Sequence, residues 1–188
     1  SQRIVDLFLA AADYMSPSLG TMNNLTIGGH DWAYYETIGG GQGAMRGHHG
    51  SSGRQVHMTN TKTTDVEVLE ARHPLRVHRM SYRPDSGGEG QYQGGEGLIR
   101  DIEVLEGATA TLLAAWRPNG ATGLHRGAAG LCGQAFTIQD GQKHPWAGAP
   151  VCLKPGDRVR IETPGGGGWG KKQYALPCIN DKPVILQR

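Results

Sequence analysis

A chain of 188 residues has room for one domain with its own core, and Lys+Arg 19 against Asp+Glu 17, scattered rather than striped, argue against nucleic acid and membrane surfaces as partners. Three cysteines, Cys132, Cys152 and Cys178, show neither CxxC nor Cys/His finger spacing, which speaks against a disulfide framework and a structural zinc and fits a reducing, cytoplasmic setting. Thirty glycines in clusters without a G-X-Y period exclude collagen and imply many tight turns, and no run approaches the roughly eighteen apolar residues of a membrane span.

Along the chain, Ile4, Val5, Leu7, Phe8, Ala11, Ala12 and Met15 recur at three- and four-residue steps, which predicts an amphipathic helix over residues 1–15, stopped by Ser16 and Pro17. Ile4 and Val5 need a face to bury against at once, so the domain is expected to begin upstream of Ser1. Residues 23–27 and 32–38 read as two strands joined by the turn Gly28, Gly29, His30, Asp31. The second strand carries Glu36 and runs into Gly39, Gly40, Gly41 and Gly43, where backbone lacking side chains admits a ligand or another chain closely.

A polar segment follows. His48 and His49 are adjacent, so on extended chain they point to opposite faces and do not share a metal. Residues 56–61 read as a strand in which His57 is a candidate acid–base group, while Thr59, Asn60 and Thr61 supply neutral hydrogen-bonding groups for a polar substrate. Glu36 and His57 are the candidate catalytic pair; Gly39, Gly40, Gly41, Thr59 and Asn60 are the candidate substrate-binding residues; no metal set is complete within the chain. Asp65 then caps a short apolar run that Pro74 stops.

From residue 75 the texture turns to β. Residues 75–82, 98–105, 109–116, 134–139 and 157–163 are strand-like, separated by glycine- and proline-rich turns, which predicts a mostly antiparallel half-domain. A second glycine cluster, residues 165–168, is not followed by a helical pattern, so close packing of chain against chain is expected there rather than an anion cradle.

The blocks TMNNLTIGG, AYYETIGGGQGA, HMTNTKTTDVEVLE, DSGGEGQYQGGEGLIRDIEVL and PGDRVRIETPGGGGWG, in this order and spacing, resemble the C-terminal third of the hydantoinase B/oxoprolinase family. The likeness covers residues 1–170, and the tail 171–188 lies outside it as an extended arm. It implies an α+β, mostly β fold, an N-terminal helix followed by glycine-rich mixed or antiparallel sheets, as part of a larger hydantoinase B-type fold. It also implies a role in an ATP-dependent hydrolase that opens a cyclic amide such as a hydantoin, oxoproline or a similar lactam. In that role ATP sits on a hydantoinase A-like ATPase subunit, and a divalent metal sits on the upstream part of the hydantoinase B polypeptide, expected as a separate chain. The same resemblance leaves room for an acetone- or acetophenone-type carboxylase, and a non-catalytic assembly subunit is the alternative from a different class.

Overall fold

The computed structural model describes residues 1–115 and 120–172. Helix α1 (Gln2–Ala11) precedes a hairpin of β1 (Asn24–Gly28) and β2 (Ala33–Thr37). A short helix, α2 (Val66–Arg72), leads into β3 (Leu75–Tyr82), β4 (Leu98–Val104) and β5 (Ala108–Leu113). The chain closes with β6 (Gln134–Gln139), β7 (Gln142–Pro145), β8 (Val151–Leu153) and β9 (Arg158–Glu162). The predicted strand over residues 109–116 ends within the described part at Leu113; Trp116 and most of the tail 171–188 lie outside the described residues.

These strands form two antiparallel sheets, one in the order β2-β1-β5-β8 and the other in the order β3-β4-β9-β6-β7. Period-two burial shows which side of each strand faces in: Leu25 and Ile27 of β1, Ala110 and Leu112 of β5, and Val159 and Ile161 of β9 are buried, with wetter residues between them. With Leu98, Ile102 and Val104 of β4 they make one core between the sheets. The expected fold class holds, and the sheets are purely antiparallel. Asp65 caps α2 as anticipated, its Oδ1 accepting from the Glu67 and Val68 amides at 3.0 and 3.4 Å. Strands β7 and β8 had no sequence signal, because QKHP is exposed throughout and β8 is three residues long. The turn between β6 and β7 did have one: Asp140 and Gly141 both take positive φ, 51° and 77°, as a two-residue hairpin requires.

The predicted strand over residues 56–61 does not form. The chain turns at His57 and Met58, with His57 at φ 59°, because the segment is held by side chains from α1 rather than by a neighbouring strand.

Beyond the sheets, the glycine-rich segments pack into a second kind of interior. The amides of residues 165–168 donate in turn to Leu131 O at 3.1 Å, Gly95 O at 2.9 Å, Pro17 O at 2.9 Å and Ala128 O at 3.0 Å. The first and fourth bonds go to the same neighbouring segment, so the repeat is three residues, that of an extended helix without internal hydrogen bonds. Such chains approach this closely only without side chains: a Cβ at Gly166 would lie 2.0 Å from Gln42 O, and one at Gly165 would lie 1.8 Å from Ser86 O. The expectation of close chain packing for this cluster is therefore met.

Candidate functional site

The site is built around the loop of residues 57–64, which is pinned at both ends. At its start, His57 Nε2 lies 2.9 Å from Asp6 Oδ1, with side chains 6% and 4% exposed. The same carboxylate oxygen accepts from the Ser18 amide at 2.8 Å. One helical turn before Asp6, Gln2 donates through Nε2 to Val56 O at 3.0 Å and also to Thr59 Oγ1. The polar face of α1 is thus the clamp that sets the turn at His57 and orients its ring.

At its far end the loop is held by a buried ion pair. Glu36 and Arg100 both face the core, sharing sides of their strands with Tyr34 and with Leu98 and Ile102. Arg100 Nε donates to Glu36 Oε2 at 3.2 Å. The Thr64 amide donates to Glu36 Oε1 at 3.0 Å, and Arg100 Nη2 donates to Thr64 O at 3.4 Å. The pair therefore joins the two sheets and grips the loop backbone in one arrangement. Beside it, burial pushes the Tyr34 phenol pKa up from 10.0; the neighbouring Thr64 and Arg100 pull partly back, while the Glu36 charge adds to the rise. Between the two anchors, Asn60, Thr61 and Lys62 stand exposed.

The residues singled out in the sequence are therefore distributed over distinct tasks. His57 and Glu36 answer to different partners and do not share a hydrogen bond; the connection between their surroundings runs through Gln55, whose Nε2 donates to Thr37 O at 2.7 Å. Glu36 accepts from an arginine and a backbone amide, an anchoring arrangement. Thr59 is buried against Gln2, and Asn60 is open to solvent.

Gly39, Gly40 and Gly41, expected along a ligand surface, are instead buried against backbone: a Cβ on them would meet Gly53 O at 2.9 Å, Pro164 O at 2.9 Å and Gly95 O at 2.0 Å. Their glycine character serves the close approach of chain to chain. His48 and His49 are both exposed; His49 Nδ1 accepts from the Gln93 amide at 2.9 Å, and His48 forms a backbone bridge to Met45.

Gln2, Asp6 and Arg100 escaped the sequence reading. The first two lie on the polar side of an amphipathic helix, which ordinarily faces water. Arg100 did carry a signal, since strict alternation places it on the same side of β4 as Leu98, Ile102 and Val104.

The family model for hydantoinase B/oxoprolinase matches residues 1–172. The chain belongs to the hydantoinase B/oxoprolinase family. Among its relatives, 5-oxoprolinase 1 of Arabidopsis thaliana is 42% identical over 172 residues, which cover 90% of this chain and 14% of that protein. An uncharacterized protein of Methanocaldococcus jannaschii is 42% identical over 194 residues, covering 100% of this chain and 34% of that one. Two solved structures share its fold as well. The ATP-dependent caprolactamase from Pseudomonas jessenii superposes with a TM-score of 0.69 at 24% identity, over 89% of this chain and 32% of that one. A nucleotide-free acetone carboxylase superposes with a TM-score of 0.71 at 18% identity, over 83% and 26%. The two superpositions establish the fold, and this hydantoinase B segment spans 14% of the length of the plant 5-oxoprolinase it matches.

Proposed function

We propose that this chain is part of the hydantoinase B component of an ATP-dependent, cytoplasmic hydrolase that opens a cyclic amide, a hydantoin, oxoproline or similar lactam. It acts with a hydantoinase A-like subunit that holds the ATP and with the upstream part of the hydantoinase B polypeptide. The observation that carries the reading is the 42% identity to a 5-oxoprolinase across 90% of the chain. Coupling to ATP suits this chemistry, because an amide carbon is a poor electrophile until its oxygen is phosphorylated.

In this reading the doubly pinned loop is the chain's contribution to the site. Asp6 holds the His57 ring in one orientation, and His57 relays a proton to or from groups supplied by the rest of the enzyme. Asn60, at the exposed apex, hydrogen-bonds the polar substrate, and Thr59 fixes the turn beneath it. Glu36 acts as a positioning residue through Thr64, and Gly39, Gly40 and Gly41 keep the backbone beneath the loop rigid. The divalent metal is assigned in this proposal to the upstream hydantoinase B polypeptide.

The acetone carboxylase likeness supports carboxylation as a second reading at the level of fold. Incubating the complete assembly with ATP and either hydantoin, oxoproline or caprolactam, or with acetone and bicarbonate, separates the readings. ADP release dependent on the cyclic amide, with the ring-opened product, is expected. Release only with acetone and bicarbonate assigns the carboxylase, and an assembly inert to both leaves the chain a structural subunit.

A further inference from the structure

Helix α1 is inverted for a surface helix. Its buried residues are Gln2 and Asp6, while Ile4, Leu7 and Phe8 are 61%, 70% and 72% exposed, and Ala11 is open as well. Positions 4, 7, 8 and 11 follow the i, i+3, i+4, i+7 spacing and therefore form a single apolar stripe. In a helix that completes its own domain, that stripe faces the core. Here rotating it inward would pull Asp6 from His57 and from the Ser18 amide, and Gln2 from Val56 O, so the polar contacts hold the stripe outward. Beyond the end of α1 lies an open groove of about 500 Å³, lined by Ala12, Asp13, Tyr14, Met45, Arg46 and His48.

What covers the stripe is indicated by the relatives. The stretch that matches this chain makes up 34% of the archaeal relative and 14% of the plant 5-oxoprolinase, so in both it is embedded in a much longer polypeptide. A second copy of the chain is the weaker occupant: a helix of ten residues is about 15 Å long, which is short for the roughly 1,000 Å² a stable pair needs to bury. We infer that the Ile4, Leu7, Phe8 and Ala11 face of α1 is the seat of the hydantoinase B polypeptide lying outside these 188 residues, docked through an apolar surface of its own. The same helix then couples the docked part to the site, since its other face holds His57. The identity of the occupant rests on the hydantoinase B reading proposed above.

The test places a benzophenone amino acid at Phe8, with a control at exposed His144 on β7, in cells that produce the native assembly. Photocrosslinked peptides are then identified by mass spectrometry. Adducts at position 8 are expected to carry hydantoinase B peptides from outside the 188-residue stretch. Leu7→Asp should reduce them at least tenfold while leaving the melting temperature of the chain unchanged, because Leu7 is exposed in it. Adducts only with this chain's own peptides, only with the ATPase subunit, or none would overturn the assignment, as would adducts that Leu7→Asp leaves intact. ATP turnover by the same preparation reports separately on the enzymatic reading. Turnover without the expected adducts removes the docking surface alone, and adducts without turnover remove the hydrolase alone.

Discussion

Glu36 of β2 and Arg100 of β4 meet across the interior of the molecule, 3.2 Å apart with side chains 2% and 1% exposed, and so tie one sheet to the other. A buried pair of this kind is expensive to break from one side, because the surviving charge stays in the core without compensation. Arg100→Met should therefore cost about 3–5 kcal/mol in urea denaturation, whereas the double change Glu36→Leu with Arg100→Met should recover much of that loss. Recovery of stability without recovery of turnover would mark the pair as the anchor of the loop at Thr64; equal stability of the wild type and both variants would remove it as an anchor.

Tyr34 sets an alkaline limit. Its phenol pKa is raised from 10.0 by burial, so the folded state holds the proton more tightly than the unfolded state does. The stability this contributes is fully present below about pH 10 and is lost as pH rises through the folded pKa. Denaturation midpoints measured between about pH 8 and pH 11 should fall above pH 10, and Tyr34→Phe should flatten that part of the profile. A wild-type slope that Tyr34→Phe leaves unaltered would assign it to other groups.

His57→Ala tests the loop's chemical part. Loss of a positioned acid–base group lowers kcat by roughly a hundredfold or more, and loss of a buried hydrogen bond costs about 1–3 kcal/mol of stability. Both effects are expected in the assembled enzyme under the role proposed for His57. Asp6→Asn, which keeps the shape and an acceptor for the Ser18 amide, should reduce kcat with a smaller loss of stability. If His57→Ala lowered the melting temperature and left kcat and its pH profile alone, His57 would be a structural residue only.

Gly166→Ala probes the glycine interior. Its Cβ would stand 2.0 Å from Gln42 O, a backbone atom that cannot move without disturbing the surrounding chains. Overpacking of this sort costs typically 1–3 kcal/mol, and here at least the upper end is expected. Gly107→Ala, where no atom lies within 4 Å of the added carbon, is the matched control and should be near neutral. Comparable melting temperatures for the two variants would contradict the packing described for residues 165–168.

Much of the architecture was legible in the sequence because its causes are local. Strand-like runs bounded by glycine and proline turns placed β1, β2, β3, β4, β6 and β9 within a residue at each end, Asp65 marked α2, and the glycine cluster at residues 165–168, with no helical pattern after it, pointed to chain packing. The ordered motif blocks carried the family, since several at a fixed spacing are far more specific than any single glycine pattern. What the tertiary structure alone decided is which groups meet over long separations in the chain. His57 reads as a strand residue from its neighbours, yet Asp6, fifty-one positions earlier, makes it a turn. Glu36 reads as the edge of a ligand cleft, yet Arg100, sixty-four positions later, takes up its charge in the core. Gly39, Gly40 and Gly41 read as room for a ligand, yet backbone from residues 53, 95 and 164 fills that space. Local pattern records what each segment requires of its surroundings, and only the packing of distant segments determines which chain provides it.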